Sequence, residues 1–210
     1  MNKEQELIDR LIDLAFAEDI GDGDHTTLSC IPETAMGKSK LLIKEAGILA
    51  GIEVAKEVFR RFDPTMKVTV YINDGAEVKP GDVAMIVEGK VQSLLQTERL
   101  MLNIMQRMSG IATMTHKYQE RLKGTHTRVL DTRKTTPGMR ILEKMAVKIG
   151  GGVNHRIGLF DMILLKDNHV DFAGGIDKAI TRAKEYCKAK GKDLKIEIEV
   201  RNLDELQQVL

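Results

Sequence analysis

The chain has 210 residues, of which 42% are hydrophobic and 30% are charged, and its formal net charge is +1. This composition is typical of a soluble globular protein, and the balanced charge argues against binding to nucleic acid or to an anionic membrane. The acidic, amphipathic N-terminus is unlike a signal peptide, and no apolar run reaches the roughly 20 residues that span a bilayer. The two cysteines, Cys30 and Cys187, lack metal-ligand spacing, so we expect a reducing, cytoplasmic setting.

The first half of the chain mixes helical and strand patterns. The predicted elements are, in chain order, a helix at 3–18, a loop at 21–24, a strand at 38–50, a helix at 52–62, a strand at 66–73, a turn at 75–82 and a strand at 83–87. Residues 92–122 predict one long helix, or a helix pair that breaks at Ser109–Gly110. The methionines within residues 101–114 favour packing in a core or an interface over a cofactor site.

After Gly124 the pattern changes to strands that alternate with helices. Strands are predicted at 127–131, 162–165 and 195–200, and helices at 137–149, 175–190 and 202–210. The strands recur about every 33 residues, as in the βα units of a parallel sheet or barrel. We therefore predict an α/β protein with a mixed α/β region first and a barrel-like region after it, divided between residues 108 and 125.

The strand near residues 195–200 alternates apolar and acidic side chains. Ile196, Ile198 and Val200 share one face, which we expect to meet the helices. Glu197 and Glu199 share the other face, which we expect to point into a polar barrel interior. Buried carboxylates need partners, because isolated burial costs several kcal/mol. Lys134, Lys166 and a metal-bound substrate are suitable partners.

Cationic side chains follow two of the predicted strands. Arg133 and Lys134 come after Val129–Leu130, and Lys166 comes after residues 162–165. A glycine-rich turn that ends in His155–Arg156 lies between them. Since α/β folds place ligand chemistry at strand ends, this arrangement predicts a pocket for a strongly anionic small molecule. Lys134 and Lys166 are the phosphate candidates, and arginine suits a planar carboxylate.

Several of these features also have structural explanations. Gly150–Gly152 is not a P-loop, because no Gly-Lys-Ser/Thr follows it; it fits a helix C-cap, a ligand turn or both. His155 either orients a carboxylate or caps backbone, and Asp167–His169 fits the cap of the next helix. Arg99 lies on a helix beside Glu98, where an intrahelical ion pair is the default. His25 and His116 are treated as structural.

Three segments in this order and spacing resemble the quinolinate phosphoribosyltransferase family: DTRKTTPG, GGGVNHRIGLFDMILLKDNH and IEIEV. The segments EDIGDGDHTT, KEAGILAG and TERLMLNIMQRMSGIAT fit the same family, so the resemblance covers essentially the whole chain. It implies an N-terminal α/β sandwich domain with a linking helix at 1–112 and an open α/β barrel at 113–210. Family members continue past the position of Leu210, so the resemblance predicts a barrel that this sequence covers in part.

The resemblance also implies a reaction. The family joins quinolinate to phosphoribosyl diphosphate with Mg²⁺, and releases diphosphate and carbon dioxide. The product is nicotinate mononucleotide, a precursor of NAD, and the enzyme is a homodimer.

The family's site residues carry over to matching positions of this sequence. Arg133, His155 and Arg156 resemble the residues that bind the quinolinate carboxylates. Arg99 matches an arginine that reaches the neighbouring subunit's site. Thr132 and Lys134 lie in the Thr-Arg-Lys substrate motif, Lys166 opens the Lys-Asp-Asn-His motif, and Glu199 matches a glutamate that serves the ribose hydroxyls or the metal-bound diphosphate. Lys134, Lys166 and Glu199 are the implied catalytic residues, and no metal ligand on the chain is assigned.

Two other functions are also compatible with parts of the sequence. A related enzyme of the same fold could act on nicotinate or another anionic aromatic base, without releasing carbon dioxide. A non-catalytic carrier is suggested by residues 74–82, which faintly resemble the turn of biotinyl or lipoyl domains. The modifiable lysine in a hairpin tip is absent, which argues against the carrier. The basic residues are interleaved with acids, which argues against a nucleic-acid role.

Overall fold

The computed structural model describes residues 3–210, which form two compact units: one ends at His155, and the other runs from Arg156 to Leu210. The helices of the first unit are α1 (Lys3–Asp19), α2 (His25–Cys30), α3 (Ile52–Phe62), α4 (Val91–Arg121) and α5 (Arg140–Ile149). Its strands are β1 (Met36–Leu42), β2 (Gly47–Ile48), β3 (Lys67–Val70), β4 (Glu77–Val78) and β5 (Val83–Lys90). The second unit contains β6 (Ile163–Leu165), α6 (Asp167–Ala173), α7 (Ile176–Lys190), β7 (Ile196–Ile198) and α8 (Leu203–Val209).

The first unit pairs helices with two small antiparallel sheets. One sheet has the strand order β1-β5-β3, and β2 pairs with β4 in the other. The core lies between the sheets and the helices, and its fully buried members include Ile12 of α1, Val58 of α3, Met85 of β5 and Met108 of α4. Met101 and Met105 are also buried, which confirms core packing for much of the methionine-rich segment.

The helices predicted at 3–18 and 52–62 are confirmed, but the single strand predicted at 38–50 is wrong. It divides into β1 and β2, which belong to different sheets. β1 pairs with β5 up to Leu42, and the Ile43 N–H then donates to the Asp82 carbonyl at 2.9 Å. The chain turns there and pairs Gly47 with Val78. Periodicity shows which residues are extended, but not which strand each one pairs with.

α4 is one continuous helix of 31 residues, so the alternative of a break at Ser109–Gly110 is wrong. The Ser109 hydroxyl bonds the backbone of Ala50 twice, accepting at 3.0 Å and donating at 3.1 Å. One turn further along α4, the Thr113 hydroxyl accepts the Ile48 N–H at 2.8 Å. These side chains form hydrogen bonds with the backbone of β2 and of the segment that follows it. Polar residues can therefore occur in the middle of α4 without breaking the helix.

The turn at residues 74–82 has a structural role in this fold. β4 lies within it, and the Asp74 carboxylate accepts the Ile52 N–H at 2.8 Å at the first turn of α3. Burial raises the pKa of Asp74, even though backbone hydrogen bonds oppose the shift. The Asp74 carboxylate of this turn therefore caps α3, a role that the carrier interpretation did not predict.

The second half of the chain keeps the predicted helices and loses one strand. Instead of a strand at 127–131, only Leu130 and Val153 form a bridge, which is parallel. Neighbouring residues extend it slightly, since the Asp131 N–H donates to the Val153 carbonyl at 3.2 Å. The short helices α2 and α6 were not predicted, because six or seven residues are too few to show apolar periodicity.

In the second unit, β6 and β7 pair in parallel and place their apolar side chains against the helices. The prediction for the apolar face of β7 is confirmed, because Ile196 and Ile198 pack against a cluster that includes Leu165, Val170 and Ile176. The predicted burial of the acidic face is wrong. Glu197 and Glu199 are exposed, because the helices of this unit cover one face of the two-stranded sheet.

The glycine turn after α5 is a helix C-cap, as one of the two sequence interpretations proposed. The Gly152 N–H donates to the Val147 carbonyl at 2.9 Å, and Gly151 has a φ of +90°, a conformation that favours glycine. Gly150 is needed for a different reason, which is close packing. A Cβ atom there would clash with the Ala112 carbonyl oxygen of α4 and lie 2.9 Å from the Thr115 Cβ.

We expect Gly150→Ala to lower the free energy of unfolding by roughly 1–3 kcal/mol, the usual range for overpacking. The added methyl group would meet backbone of α4, which cannot rotate away. Denaturant unfolding of the variant measures the loss. Gly110→Ala is the matched control, because Gly110 lies in the middle of a helix and a Cβ there would meet nothing within 4 Å. Equal stability of Gly150→Ala and the unmodified chain would contradict the packing argument.

Among the described helices, none is both long and apolar enough to cross a membrane. Both cysteines are free thiols.

Candidate functional site

Asp131 joins the two chain segments that carry the predicted site residues of the first unit. Its side chain is 6% exposed and forms an ion pair with Lys144 of α5, whose side chain is 3% exposed. The Asp131 Oδ1 also accepts the His155 N–H at 2.9 Å, and Lys144 Nζ donates to the His155 carbonyl at 3.2 Å. In the amide orientation that its neighbours require, Asn154 donates to Asp131 Oδ2 at 2.9 Å. The Asp131–Lys144 pair therefore fixes the backbone on both sides of the bridge.

The loop at residues 132–135 follows directly and carries three predicted site residues. The Thr132 hydroxyl accepts the Lys134 N–H at 3.0 Å, which folds the backbone so that Lys134 is exposed. Arg133 is half-buried. Its Nε is buried and has no hydrogen-bond partner among the described residues. A buried donor without a partner loses the hydrogen bond that water would supply, so an acceptor brought by a ligand would stabilise it.

The far end of this loop is tied to α5 and α4. The Thr136 N–H donates to Glu143 Oε2 at 3.2 Å, and Arg107 of α4 donates to Glu143 Oε1 at 3.0 Å from Nε and 2.7 Å from Nη2. The Glu143 side chain is 8% exposed. Burial by itself raises the pKa of this carboxyl, but the hydrogen bonds from Arg107 and Thr136 together outweigh burial and hold the pKa below its ordinary value.

We expect the ionised Glu143 carboxylate to stabilise the fold at neutral pH and to lose this contribution in acid. A carboxyl whose pKa is lower in the folded state stabilises the fold above its unfolded pKa, and this contribution is lost as the pH falls through the folded pKa. Glu143→Gln should therefore lose less stability than the unmodified chain between about pH 5 and about pH 3. Urea unfolding at both pH values measures the difference. Glu98→Gln, an exposed change on α4, should leave the pH dependence as it is, and identical pH profiles for all three proteins would contradict the assignment.

In the second unit the structure brings Lys166 and Glu199 together. Leu165 pairs with Ile198 in the parallel register, so the next residue of each chain segment lies at the same sheet end. Lys166 Nζ lies 2.5 Å from Glu199 Oε1, and both side chains are largely exposed. The predicted pairing of a strand-end lysine with this carboxylate is confirmed, although at an exposed position. The His169 Nδ1 accepts the Lys166 N–H at 3.0 Å, so His169 caps α6, whereas the sequence predicted a cap for the helix at 175–190.

Two predicted arginines stand outside these pairs. Arg156 is half-buried at the start of the second unit, and Arg99 is exposed on α4. Among residues 3–210 neither side chain has a hydrogen-bond or ion-pair partner, so the default pairing of Arg99 with Glu98 does not occur.

A groove of about 620 Å³ in the first unit lies apart from these residues. Residues 41–49 form one wall, and α4 side chains such as Met105, Gln106 and Lys117 form the other. It contains none of the predicted site residues.

Sequence reasoning missed four residues that support the candidate site: Arg107, Asp131, Glu143 and Lys144. Two of them, Glu143 and Lys144, are adjacent charged residues on α5 that are both buried. The one signal in the sequence is that Asp131 is the last residue of the predicted strand, ahead of the two cations. Its partner Lys144 lies 13 positions away and is not marked by any motif.

The chain is similar to known proteins over nearly its whole length. The family model for the quinolinate phosphoribosyl transferase N-terminal domain matches residues 24–109, and the model for the C-terminal domain of that family matches residues 111–210. A quinolinate phosphoribosyltransferase [decarboxylating] 1b of Nicotiana tabacum is 44% identical over 202 residues, which cover 95% of this chain and 57% of that protein. A probable nicotinate-nucleotide pyrophosphorylase [carboxylating] of Synechocystis is 40% identical, over 97% of this chain and 68% of its own length.

A solved structure gives the same result. The crystal structure of NadC from Streptococcus pyogenes is 40% identical with a TM-score of 0.88, and the match covers 96% of this chain and 70% of that one. This match confirms the predicted fold class, an N-terminal α/β sandwich domain followed by an α/β barrel domain. The chain spans little more than half the length of the tobacco relative. Both domain models, the Synechocystis relative and the Streptococcus structure agree, and the chain belongs to the quinolinate phosphoribosyltransferase family.

Proposed function

We propose that the protein transfers the phosphoribosyl group from phosphoribosyl diphosphate to quinolinate and releases carbon dioxide. The products would be nicotinate mononucleotide and diphosphate, and the pathway would be NAD synthesis. Family membership supports the reaction, and the names of the tobacco and Synechocystis relatives describe it.

The observation that carries the proposal is the unpartnered Nε of Arg133. A guanidinium presents its donors in a planar fork that matches a carboxylate, and quinolinate carries two carboxylates on one ring. Arg133 also lies two residues after the Asp131 anchor, which restrains its backbone before a ligand arrives. We assign Arg133, His155 and Arg156 to the quinolinate carboxylates.

The remaining residues suit the phosphoribosyl substrate. As the diphosphate leaves, negative charge grows on it while the ribose carbon becomes oxocarbenium-like, so fixed cations accelerate the step. We assign Lys134 and Lys166 to the diphosphate, Thr132 to substrate binding and Glu199 to the ribose hydroxyls. The salt bridge from Lys166 holds the Glu199 carboxylate in place beforehand.

Bond formation then leads to loss of the carboxyl group. The quinolinate nitrogen attacks the ribose carbon while the bound carboxylates keep the ring in line. The electron pair of the breaking carbon–carbon bond stays on the ring carbon beside the positively charged nitrogen, and the carboxylate leaves as carbon dioxide. That carbon then takes a proton from water to give the product. No side chain of the protein needs to form a covalent bond with either substrate.

Mg²⁺ is proposed as part of the phosphoribosyl substrate. Among residues 3–210 no group of three or more His, Cys, Asp or Glu side chains could hold a metal ion. Mg²⁺ commonly binds through substrate phosphates with one or two carboxylates, so an ion that arrives on the diphosphate fits this chain better than a resident ion. It would neutralise phosphate charge when bound.

Arg99 supports a proposal about assembly. It is exposed on α4 and has no partner among the described residues, as expected for a side chain that serves another subunit. We propose a homodimer in which Arg99 reaches the neighbouring subunit's quinolinate. A cytoplasmic location is proposed from the two free thiols; some plant relatives are named as mitochondrial or chloroplastic.

The test is to incubate the purified protein with quinolinate, phosphoribosyl diphosphate and Mg²⁺. Nicotinate mononucleotide and carbon dioxide in equal amounts would support the proposal. Turnover of nicotinate without carbon dioxide would instead favour a related enzyme of the same fold. If the protein binds neither quinolinate nor phosphoribosyl diphosphate in calorimetry, the proposed function is refuted.

A further inference from the structure

Two consecutive buried side chains of α5 hold opposite ends of the loop at residues 132–135. Lys144 pairs with Asp131, the residue before the loop, and Glu143 accepts the N–H of Thr136, the residue after it. The four residues between include Thr132, Arg133 and Lys134, all assigned to substrate. The position of the loop therefore depends on how α5 presents these two charges.

Arg107 of α4 binds one of these two α5 side chains, the Glu143 carboxylate. Two of its guanidinium nitrogens donate to Glu143 Oε1, and Nη2 also donates to the Thr136 hydroxyl at 3.1 Å. Arg107 thus reaches the loop by two routes, through the Glu143 carboxylate and directly. A side chain that only tied α4 to α5 would need the carboxylate alone.

We propose that Arg107 is a positioning residue that holds the Thr132–Lys134 segment in its binding conformation through Glu143 and Thr136. The choice of ligand in the test rests on the proposed function. The physical reason is preorganisation: a loop fixed before binding does not have to be ordered by the ligand. Displacement of a binding group by about 1 Å can cost up to a hundredfold in activity even when the change lies far from the reacting atoms.

The first measurement needs no ligand. Hydrogen exchange of the segment 131–138, followed by mass spectrometry on the full 210-residue chain, should be faster in Arg107→Gln than in the unmodified protein. Exchange in α3, in the core of the first unit, should stay the same. Arg121→Gln is the control, since Arg121 is an exposed arginine at the last turn of α4. If Arg107→Gln fails to fold, Arg107→Lys carries the same test, because it keeps the charge opposite Glu143 but loses the planar fork.

The second measurement is a double-variant cycle with quinolinate in calorimetry. Arg107→Gln should raise the Kd roughly tenfold, and the same change should have little effect once Arg133 is alanine, because Arg107 acts through the loop that carries Arg133. A purely structural role would instead give the same loss in both backgrounds.

The outcomes separate the two proposals. Unchanged exchange at 131–138, or equal loss of quinolinate affinity with and without Arg133, overturns the positioning role. If the unmodified chain binds no quinolinate, the proposed function fails, while faster exchange confined to 131–138 in Arg107→Gln still supports the positioning role of Arg107.

Discussion

Lys144→Met is expected to lower the free energy of unfolding by roughly 3–5 kcal/mol, the usual cost of removing one partner from a buried ion pair. Methionine has a similar length but leaves the Asp131 carboxylate without a cation, at a position where that side chain is 6% exposed. The His155 carbonyl also loses a donor. Urea unfolding monitored by far-UV circular dichroism measures the loss.

Lys148→Met is the matched control for this prediction. Lys148 lies one turn further along α5 and is exposed, so the same change there should alter stability by roughly 0.5 kcal/mol or less. The double variant Lys144→Met with Asp131→Asn should recover part of the stability, because it removes both buried charges and keeps an acceptor for the His155 N–H. A cost for Lys144→Met no larger than for Lys148→Met would show that the pair does not stabilise the fold.

The sequence predicted which cations follow the strand ends better than it predicted the strands themselves. The strand at 127–131 is reduced to one bridge, yet Thr132, Arg133 and Lys134 still follow the point where Leu130 meets Val153. In the second unit, the parallel register of β6 and β7 places Lys166 beside Glu199, one of the partners expected for the carboxylates of that strand. Such predictions are robust because they depend on chain order at a sheet edge, and not on strand length.

The supporting charges of α5 could not be predicted in the same way. Apolar periodicity assigns one buried face to a helix, and Lys144 lies about 200° around the helix from the fully buried Leu142. By that reasoning the Lys144 side chain should be exposed to solvent. It is buried because a second layer, the segment around Asp131 and His155, packs on the opposite side. This layer forms through contacts between residues distant in sequence, which no local pattern encodes.

The same limit applies to Glu143 and Arg107. They are 36 positions apart, and they lie on different helices. Their pairing follows from the packing of α5 against α4, which the missing side chain of Gly150 permits. Motif glycines and strand-end cations can therefore be predicted from the sequence. The residues that orient those cations can be identified once the packing of the helices is known.

Arg133→Ala is expected to weaken quinolinate binding about a hundredfold, or roughly 3 kcal/mol, because it removes a paired donor to a carboxylate. Binding of phosphoribosyl diphosphate should weaken less, since Lys134 and Lys166 are assigned to its phosphates. Calorimetry with each ligand in turn measures both effects. Arg128→Ala, an exposed arginine before the bridge, should change neither affinity by more than a small factor.

Arg133 differs from Lys144 in what its loss should do to the empty protein. Its Nε is buried without a partner, so the unliganded fold carries an unsatisfied donor that alanine removes. The melting temperature of Arg133→Ala should therefore stay the same or rise while quinolinate affinity falls, the pattern of a residue kept for binding at some cost to stability. If affinity for both ligands falls equally, or if the variant unfolds as readily as Lys144→Met, then Arg133 supports the fold and another residue must hold the quinolinate carboxylates.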